Sequence, residues 1–251
     1  MVNREPIIHV HNLVKKFDNF VANDNLSFDV NPGEIFGFLG ANGAGKTTAI
    51  RILCGLSKPT SGEIKVAGFD AYNQVDSIKR NIGYMSQKFS LYEDLTVYEN
   101  IRFYGGIYGI KYREIKTLAE ELIEKLGLTK HRNTLIESLP LGWKQKLAFS
   151  VAIFHKPKIV FLDEPTSGVD PITRRQFWEM IYEAADNGIT VFVTTHYMDE
   201  AEYCDRVSIM VDGRIEALDT PAELVRTYKT ENINNVFIKI ARNPDRMMVE
   251  K

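Results

Sequence analysis

The sequence predicts an α/β fold, with a core built on a largely parallel central sheet, an antiparallel β-layer beside it and an inserted α-helical subdomain. Three observations carry this. Strand-like runs recur at 7–13, 26–30, 35–39, 63–66, 82–85, 159–162, 190–194, 207–211 and 214–218, and helical patterns separate most of the later ones. Between Phe89 and Pro157 the strand signal disappears and helical periodicity takes over. A glycine-rich loop, Gly40-Ala41-Asn42-Gly43-Ala44-Gly45-Lys46-Thr47, stands between one short apolar strand and a helical run.

In chain order, the first two strands are expected in the antiparallel layer, joined there by the late pair 207–211 and 214–218, whose Asp212-Gly213 step is a hairpin turn signal. Asn31-Pro32-Gly33 marks an earlier turn. Glu34-Ile35-Phe36-Gly37-Phe38-Leu39 reads as a buried strand and Thr48-Ala49-Ile50-Arg51-Ile52-Leu53 as the helix after the loop. In the strand-free region the clearest helix places Ile115, Leu118, Ala119, Leu122, Ile123 and Leu126 at three- and four-residue steps, with Lys116, Glu120, Glu121 and Glu124 on its other side. Gly127 ends it. The expected organisation is a single domain over 1–251: 1–88 and 158–251 form the core and β-layer, and 89–157 the helical subdomain. No repeat, low-complexity tract or linker interrupts it, and the polar last dozen residues are expected to fray.

Bulk properties remove several function classes. With 44% apolar and 25% charged residues the chain is globular rather than disordered. Its 31 basic and 33 acidic residues leave a net charge of −2, so no nucleic-acid partner is expected. Cys54 and Cys204 sit in apolar or helical stretches and read as packing residues of a reducing compartment. The N-terminus lacks the apolar core of a signal peptide, and no run approaches the roughly 20 apolar residues that cross a membrane. If the protein acts at a membrane, something else spans it.

Two motifs carry chemistry. The glycine-rich loop matches the phosphate-loop pattern, in which backbone N–H groups cradle phosphate oxygens while a lysine and a hydroxyl reach the terminal phosphates and Mg²⁺. Gly40, Asn42, Gly43, Gly45, Lys46, Thr47 and Thr48 are its candidate nucleotide-binding residues, with Thr47 on the metal. The following helix adds its positive N-terminal field. Such a pattern arises by chance in roughly one chain of this length in a hundred, and the strand–loop–helix setting sharpens it. The second motif, Ile159-Val160-Phe161-Leu162-Asp163-Glu164, ends a buried strand in two carboxylates. Asp163 lies where open α/β sheets bind ligands and suits the Mg²⁺ shell. Glu164, one residue on, is expected to point to the opposite side and to polarise an attacking water. Adjacent acids after a strand can also be a solvated strand end or a helix cap. Together the motifs indicate a nucleoside triphosphate.

With those residues in place the chain resembles the ATP-binding subunit of an ABC transporter, a P-loop NTPase. The likeness runs from Val10-His11-Asn12-Leu13-Val14-Lys15-Lys16-Phe17 to Thr220-Pro221-Ala222-Glu223-Leu224 and includes Asn81-Ile82-Gly83-Tyr84-Met85-Ser86-Gln87, Asp163-Glu164-Pro165-Thr166-Ser167-Gly168-Val169-Asp170-Pro171 and Thr194-Thr195-His196-Tyr197-Met198-Asp199-Glu200-Ala201-Glu202. The resemblance implies ATP and Mg²⁺ as ligands. It makes Gln87 a metal and water contact, His196 a γ-phosphate switch, Asp170 part of a loop crossing between two subunits, and Phe17 the aromatic that stacks on adenine. Read without the resemblance, Phe17 is equally a core residue and Gln87 a polar strand end.

One segment departs from the family. Where the usual signature reads Leu-Ser-Gly-Gly-Gln, this chain has Leu139-Pro140-Leu141-Gly142-Trp143-Lys144-Gln145. Proline is tolerated at a helix start and Gly142 stays in register, so the segment can still aim a helix N-terminus at a phosphate across a dimer. A degenerate signature and a tolerated variant are both open. The run Tyr197–Val207, the loop Thr166-Ser167-Gly168-Val169-Asp170-Pro171 and the absence of a long regulatory C-terminal domain resemble exporters of drugs, antibiotics or polysaccharides that pair with type-2 permeases. The implied activity is ATP hydrolysis by a subunit that dimerises around ATP and drives transport through a separate permease at the inner face of the cell membrane. A soluble ATPase acting on ribosomes or DNA is the alternative, and a subunit with dead chemistry a third. Phe89, Tyr92, Tyr98, Phe103, Tyr104, Tyr108 and Tyr112 crowd one stretch and are expected to be shared between a core and a groove for a permease helix.

Overall fold

A computed structural model of the chain describes residues 5–87 and 91–242. Two long strands, β1 (Ile8–Phe17) and β2 (Phe20–Val30), form an antiparallel hairpin, followed by β3 (Ile35–Gly40), α1 (Lys46–Leu53), β4 (Ser61–Val66), β5 (Phe69–Asp70), α2 (Val75–Asn81) and β6 (Ile82–Met85). Helices α3 (Val97–Ile107), α4 (Tyr112–Lys125) and α5 (Leu141–Ala152) come next. The chain then alternates through β7 (Ile159–Asp163), α6 (Pro171–Asp186) and β8 (Thr190–Thr195), and closes with β9 (Arg206–Val211), β10 (Arg214–Asp219), α7 (Pro221–Tyr228) and α8 (Ile233–Ala241).

The strands make two sheets. One is four-stranded, in the order β2-β1-β4-β5, and the other six-stranded, in the order β10-β9-β3-β8-β7-β6. Within the second, β6, β7, β8, β3 and β9 are mutually parallel, as expected for the core. The late hairpin corrects an expectation. Its turn forms at Asp212 and Gly213, both at positive φ, but β9 pairs in parallel with β3 and leaves the antiparallel layer to β4 and β5. The physical reason is that β9 is buried on both faces: Val207 and Ile209 enter one core cluster, and Met210, with the buried Ser208, lies on the other face, which requires a central rather than an outer strand. The short strand β5 carries no alternation that sequence could show.

Strand period decides which residues face which layer. Along β3, Ile35 and Leu39 join one core cluster while Phe36 and Phe38 join the other; along β7, Val160 and Leu162 oppose Ile159 and Phe161. The phenylalanines Phe28, Phe36, Phe38, Phe161 and Phe192 thereby meet between the two sheets, with ring centroids from 5.3 to 6.1 Å apart. The opposite face of the large sheet packs on α5 and α6 through Phe149, Phe177 and Trp178.

Helix ends follow local chemistry. Thr96 and Glu99 form a capping box on α3, and Asp170 caps α6 ahead of Pro171. The α4 periodicity is seen as expected: Ile115, Ala119 and Ile123 are buried, and the helix ends before Gly127. Cys54 and Cys204 are free and buried. Burial pushes both thiols upward, so neither is a ready nucleophile. Among the described residues no helix is long and apolar enough to cross a membrane. Phe89 and most of the tail expected to fray, 243–251, lie outside the described residues.

Candidate functional site

Four loops converge because the strands before them are neighbours. The sheet order β3-β8-β7-β6 brings the C-terminal ends of four parallel strands side by side, and Gly40–Lys46, His196, Glu164 and Gln87 follow those ends. The first loop is shaped by Gly45, which caps α1 with φ 100. A Cβ there would lie 2.3 Å from the carbonyl oxygen of Ala22, so the loop can lie against β2 only with glycine. The N-terminus of α1 has no side-chain cap, and Lys46, Thr47 and Thr48 of its first turn line a cleft, an arrangement suited to an anion.

Lys46 is buried at the start of α1. Its Nζ donates to the carbonyl oxygens of Gly40 at 2.8 Å and Ala41 at 3.0 Å and pairs with Glu164 Oε1 at 3.3 Å. Glu164 Oε2 also accepts from Gln87 Nε2 at 3.1 Å and lies 2.9 Å from His196 Nδ1. Asp163 Oδ1 accepts from Thr194 Oγ1 at 2.7 Å and from Thr47 Oγ1 at 3.3 Å. Burial raises the Asp163 carboxyl above its ordinary range, although the Thr194 and Thr47 hydrogen bonds and the Lys46 charge pull the other way. Burial and the Asp163 charge likewise raise the Tyr84 phenol.

The expectation that Glu164 points away from Asp163 does not hold in its simple form. Strand alternation stops at Asp163, Glu164 adopts φ 51, and its N–H donates to the Thr194 carbonyl and hydroxyl oxygens, both at 3.1 Å. This left-handed turn brings its carboxylate over Lys46, while Asp163 stays behind the loop on the Thr47 and Thr194 hydroxyls.

That cleft, of about 390 Å³, is lined by Phe20, Ala22, Asn42, Gly43, Gly45, Lys46, Thr47, Thr48, Gln87 and Glu164. Of the residues named from sequence, Gly40 contributes through its carbonyl, Asp163 and His196 stand behind the lining on Thr47 and Glu164, and Phe17 is outside it. Phe17 is half exposed, with Lys15 Nζ 4.6 Å above its ring. Phe20, its register partner across the hairpin, is 63% exposed and faces the cleft. Sequence reading passed over Phe20; the pairing of two aromatics across a tight Asp18-Asn19 turn was the available signal. The hydroxyl of Thr47, the carboxylate of Asp163 and the amide oxygen of Gln87 are hard oxygen donors of the kind Mg²⁺ takes, so the residues fit that ion.

Gly142 and Asp170 lie elsewhere. A second cleft of about 380 Å³, sharing no lining residue with the first, is bounded by Pro140, Leu141, Gly142, Trp143, Lys146, Gly168, Val169, Asp170, Thr173 and Gln176. Pro140 caps α5, and its carbonyl accepts from Trp143 N at 3.0 Å, so the helix begins where the altered signature predicted. Asp170 accepts from the N–H groups of Ile172 and Thr173 and from Thr173 Oγ1 at 2.6 Å. A Cβ on Gly142 would meet Thr173 Cγ2 at 2.7 Å.

Among the described residues the aromatic stretch divides into packed and exposed rings. Tyr104 and Tyr108 pack toward the core, Tyr108 stacking on His155 with centroids 3.7 Å apart, while Tyr92, Phe103 and Tyr112 are exposed. Tyr98 lies under the Arg132 guanidinium at 3.7 Å.

A phosphate-binding loop on a parallel sheet, with a lysine, a hydroxyl and one strand-end carboxylate lining the cleft and a second carboxylate bonded to that hydroxyl from behind, defines a nucleoside-triphosphate-binding protein of the P-loop class. Residues 23–167 match the family described as ABC transporter, and the chain belongs to that family as an ATP-binding domain. It is 48% identical over 220 residues to the probable multidrug ABC transporter ATP-binding protein YbhF of Escherichia coli, covering 88% of this chain and 38% of that protein. It is 36% identical over 219 residues to the linearmycin resistance ATP-binding protein LnrL of Bacillus subtilis, covering 87% and 70%. The chain thus spans well under half the length of its Escherichia coli relative. Among solved structures, an ATP-binding subunit of an ABC transporter superposes with TM-score 0.84 at 25% identity, over 94% of this chain and all of the other. A dimeric post-hydrolysis state of the cassette MJ0796, bound to ADP and Pi, superposes with TM-score 0.77 at 26% identity, over 85% and 98%.

Proposed function

We propose that this chain binds and hydrolyses Mg²⁺-ATP in the cleft at Lys46 and, as a dimer, powers export through a separate membrane permease. The observation that carries the reading is the meeting of Lys46, Thr47, Asp163, Glu164, Gln87 and His196 at the ends of adjacent parallel strands. Lys46 exchanges its carbonyl and carboxylate partners for the β- and γ-phosphates, which the loop N–H groups cradle. Thr47, Asp163 and Gln87 would hold Mg²⁺, which supplies charge neutralisation on the phosphates. Glu164, released from Lys46, orients and polarises the attacking water. His196 keeps Nδ1 on Glu164, leaving Nε2 as the ring nitrogen that reaches the γ-phosphate. Phe20 joins Phe17 as a candidate surface for the base.

The second cleft supports a paired state. Gly142, with the N-terminus of α5, and Asp170, in the loop before α6, share no wall with the nucleotide cleft, so they complete a site only when a second subunit brings its own phosphate loop opposite. The partners are a second ATP-binding subunit and a type-2-like permease, which holds the chain at the inner face of the membrane. We assign 1–88 and 158–251 to the nucleotide-binding core and 89–157 to a helical subdomain, whose exposed Tyr92 and Phe103 offer a groove edge to a permease helix. The multidrug and linearmycin-resistance names of the relatives support export of drug-like cargo. The experiment is equilibrium binding of a fluorescent ATP analogue, with phosphate release in parallel. Lys46→Ala is expected to lose both, and retention of wild-type affinity would overturn the assignment of the cleft.

A further inference from the structure

Behind His196 lies a polar chain that the nucleotide cleft does not use. After β8 the backbone passes through His196 and Tyr197 into a 3-10 turn, Met198–Tyr203, in which Glu200 is fully buried. A carboxylate taken wholly out of water needs partners. Glu200 Oε1 accepts from Thr166 Oγ1 at 2.5 Å and stands 3.6 Å from Arg174 Nε. Glu200 Oε2 and Arg174 Nε have no hydrogen-bond partner, so the two residues meet as opposite charges rather than through a hydrogen bond.

Arg174 is held on three sides. It lies near the start of α6, pairs with Asp199 Oδ2 at 3.5 Å, and lays its guanidinium over the Tyr197 ring with Cζ 4.1 Å from the centroid. The Tyr197 ring in turn lies 4.1 Å from the His196 ring at an interplanar angle of 37°. A continuous contact therefore runs Glu200, Arg174, Tyr197, His196, and it ends on the imidazole that holds Glu164. The same carboxylate grips Thr166, in the loop just after Glu164, and the same arginine sits on the helix turn whose Asp170 and Thr173 line the second cleft.

We infer that Glu200 and Arg174 are positioning residues that set the orientation of the His196 ring through Tyr197. The inference rests on the ATPase reading above. Neither residue touches the nucleotide cleft, so their loss acts on turnover rather than on ATP binding.

The test uses the full chain with Mg²⁺-ATP, steady-state kinetics, and a ¹³C-histidine spectrum in which His196→Ala assigns one of the five histidine signals. Glu200→Gln and Arg174→Lys are expected to lower kcat about tenfold with KM changed less than about twofold, and to shift the His196 signal without nucleotide. In a His196→Ala background neither substitution should lower residual kcat further. An unmoved His196 signal in the folded variants, or the same proportional loss of kcat in both backgrounds, would overturn the inference. Arg174→Lys decides it if Glu200→Gln fails to fold. Wild-type kcat in His196→Ala alone would instead strike the proposed role of His196, a result separable from the spectral arm.

Discussion

Glu164→Gln removes the anion opposite Lys46 in a pair that is 3.3 Å long with side chains 3% and 7% exposed. Truncating one member of a buried pair costs about 3–5 kcal/mol, because the other charge is stranded. Lys46 keeps the carbonyl oxygens of Gly40 and Ala41, and glutamine retains one oxygen, so the low end, about 3 kcal/mol, applies. For a domain of this size each kcal/mol shifts the melting temperature by about 2–4 °C, giving a fall of about 6–12 °C without nucleotide. ATP brings its own anions to Lys46 and should erase most of that deficit, so it stabilises the variant more than the wild type. Thermal denaturation of both proteins with and without ATP, in EDTA to prevent hydrolysis, measures this. Equal melting temperatures without nucleotide, or equal stabilisation by ATP, would refute the view that Glu164 is the counter-charge of the resting lysine. With Mg²⁺ restored, the variant should accumulate an ATP-bound dimer on size exclusion and turn over far more slowly.

Asp163→Asn separates stability from activity. Because the Asp163 carboxyl is raised in the fold, its favourable contribution exists below the unfolded value and is lost as pH rises through the raised one. At neutral pH the asparagine protein should therefore melt higher than the wild type, while Mg²⁺-dependent hydrolysis falls on the order of a hundredfold in a phosphate-release assay. Gly142→Asp puts a side chain against Thr173 and a carboxylate into the second cleft, and should abolish ATP-dependent dimerisation in the Glu164→Gln background; undiminished dimer on size exclusion would remove Gly142 from the interface. Burial lowers His155 below its ordinary value near 6.5, so its stabilising contribution is present above that pH and lost as pH falls toward the folded value. Melting curves between pH 7 and 5 should show this fall, and His155→Phe, which keeps the stack on Tyr108, should flatten it.

Within the sequence alone lay everything that a short stretch of chain can specify. Gly45, Lys46 and Thr47 are legible because an anion-binding loop is made by consecutive backbone groups and needs no distant partner. β6 and β7, and the α4 register, are legible because an apolar period or run fixes which residues leave water. Asp163, His196 and Gln87 could be placed at strand ends, and the family resemblance gave them roles. Tertiary structure decided the rest. Whether β9 joins the large sheet or the outer layer depends on which faces remain to be covered, a property of the assembled layers rather than of six residues. Glu164 returns to Lys46 through a left-handed turn that strand alternation cannot foresee. Phe20 enters the nucleotide cleft, Gly142 meets Asp170 in another, and Glu200 reaches Thr166 and Arg174 only because helices and loops remote in sequence pack together. Local chemistry named the phosphate-handling groups; long-range packing chose which of them share a cleft, since contact between distant residues depends on every layer that lies between them.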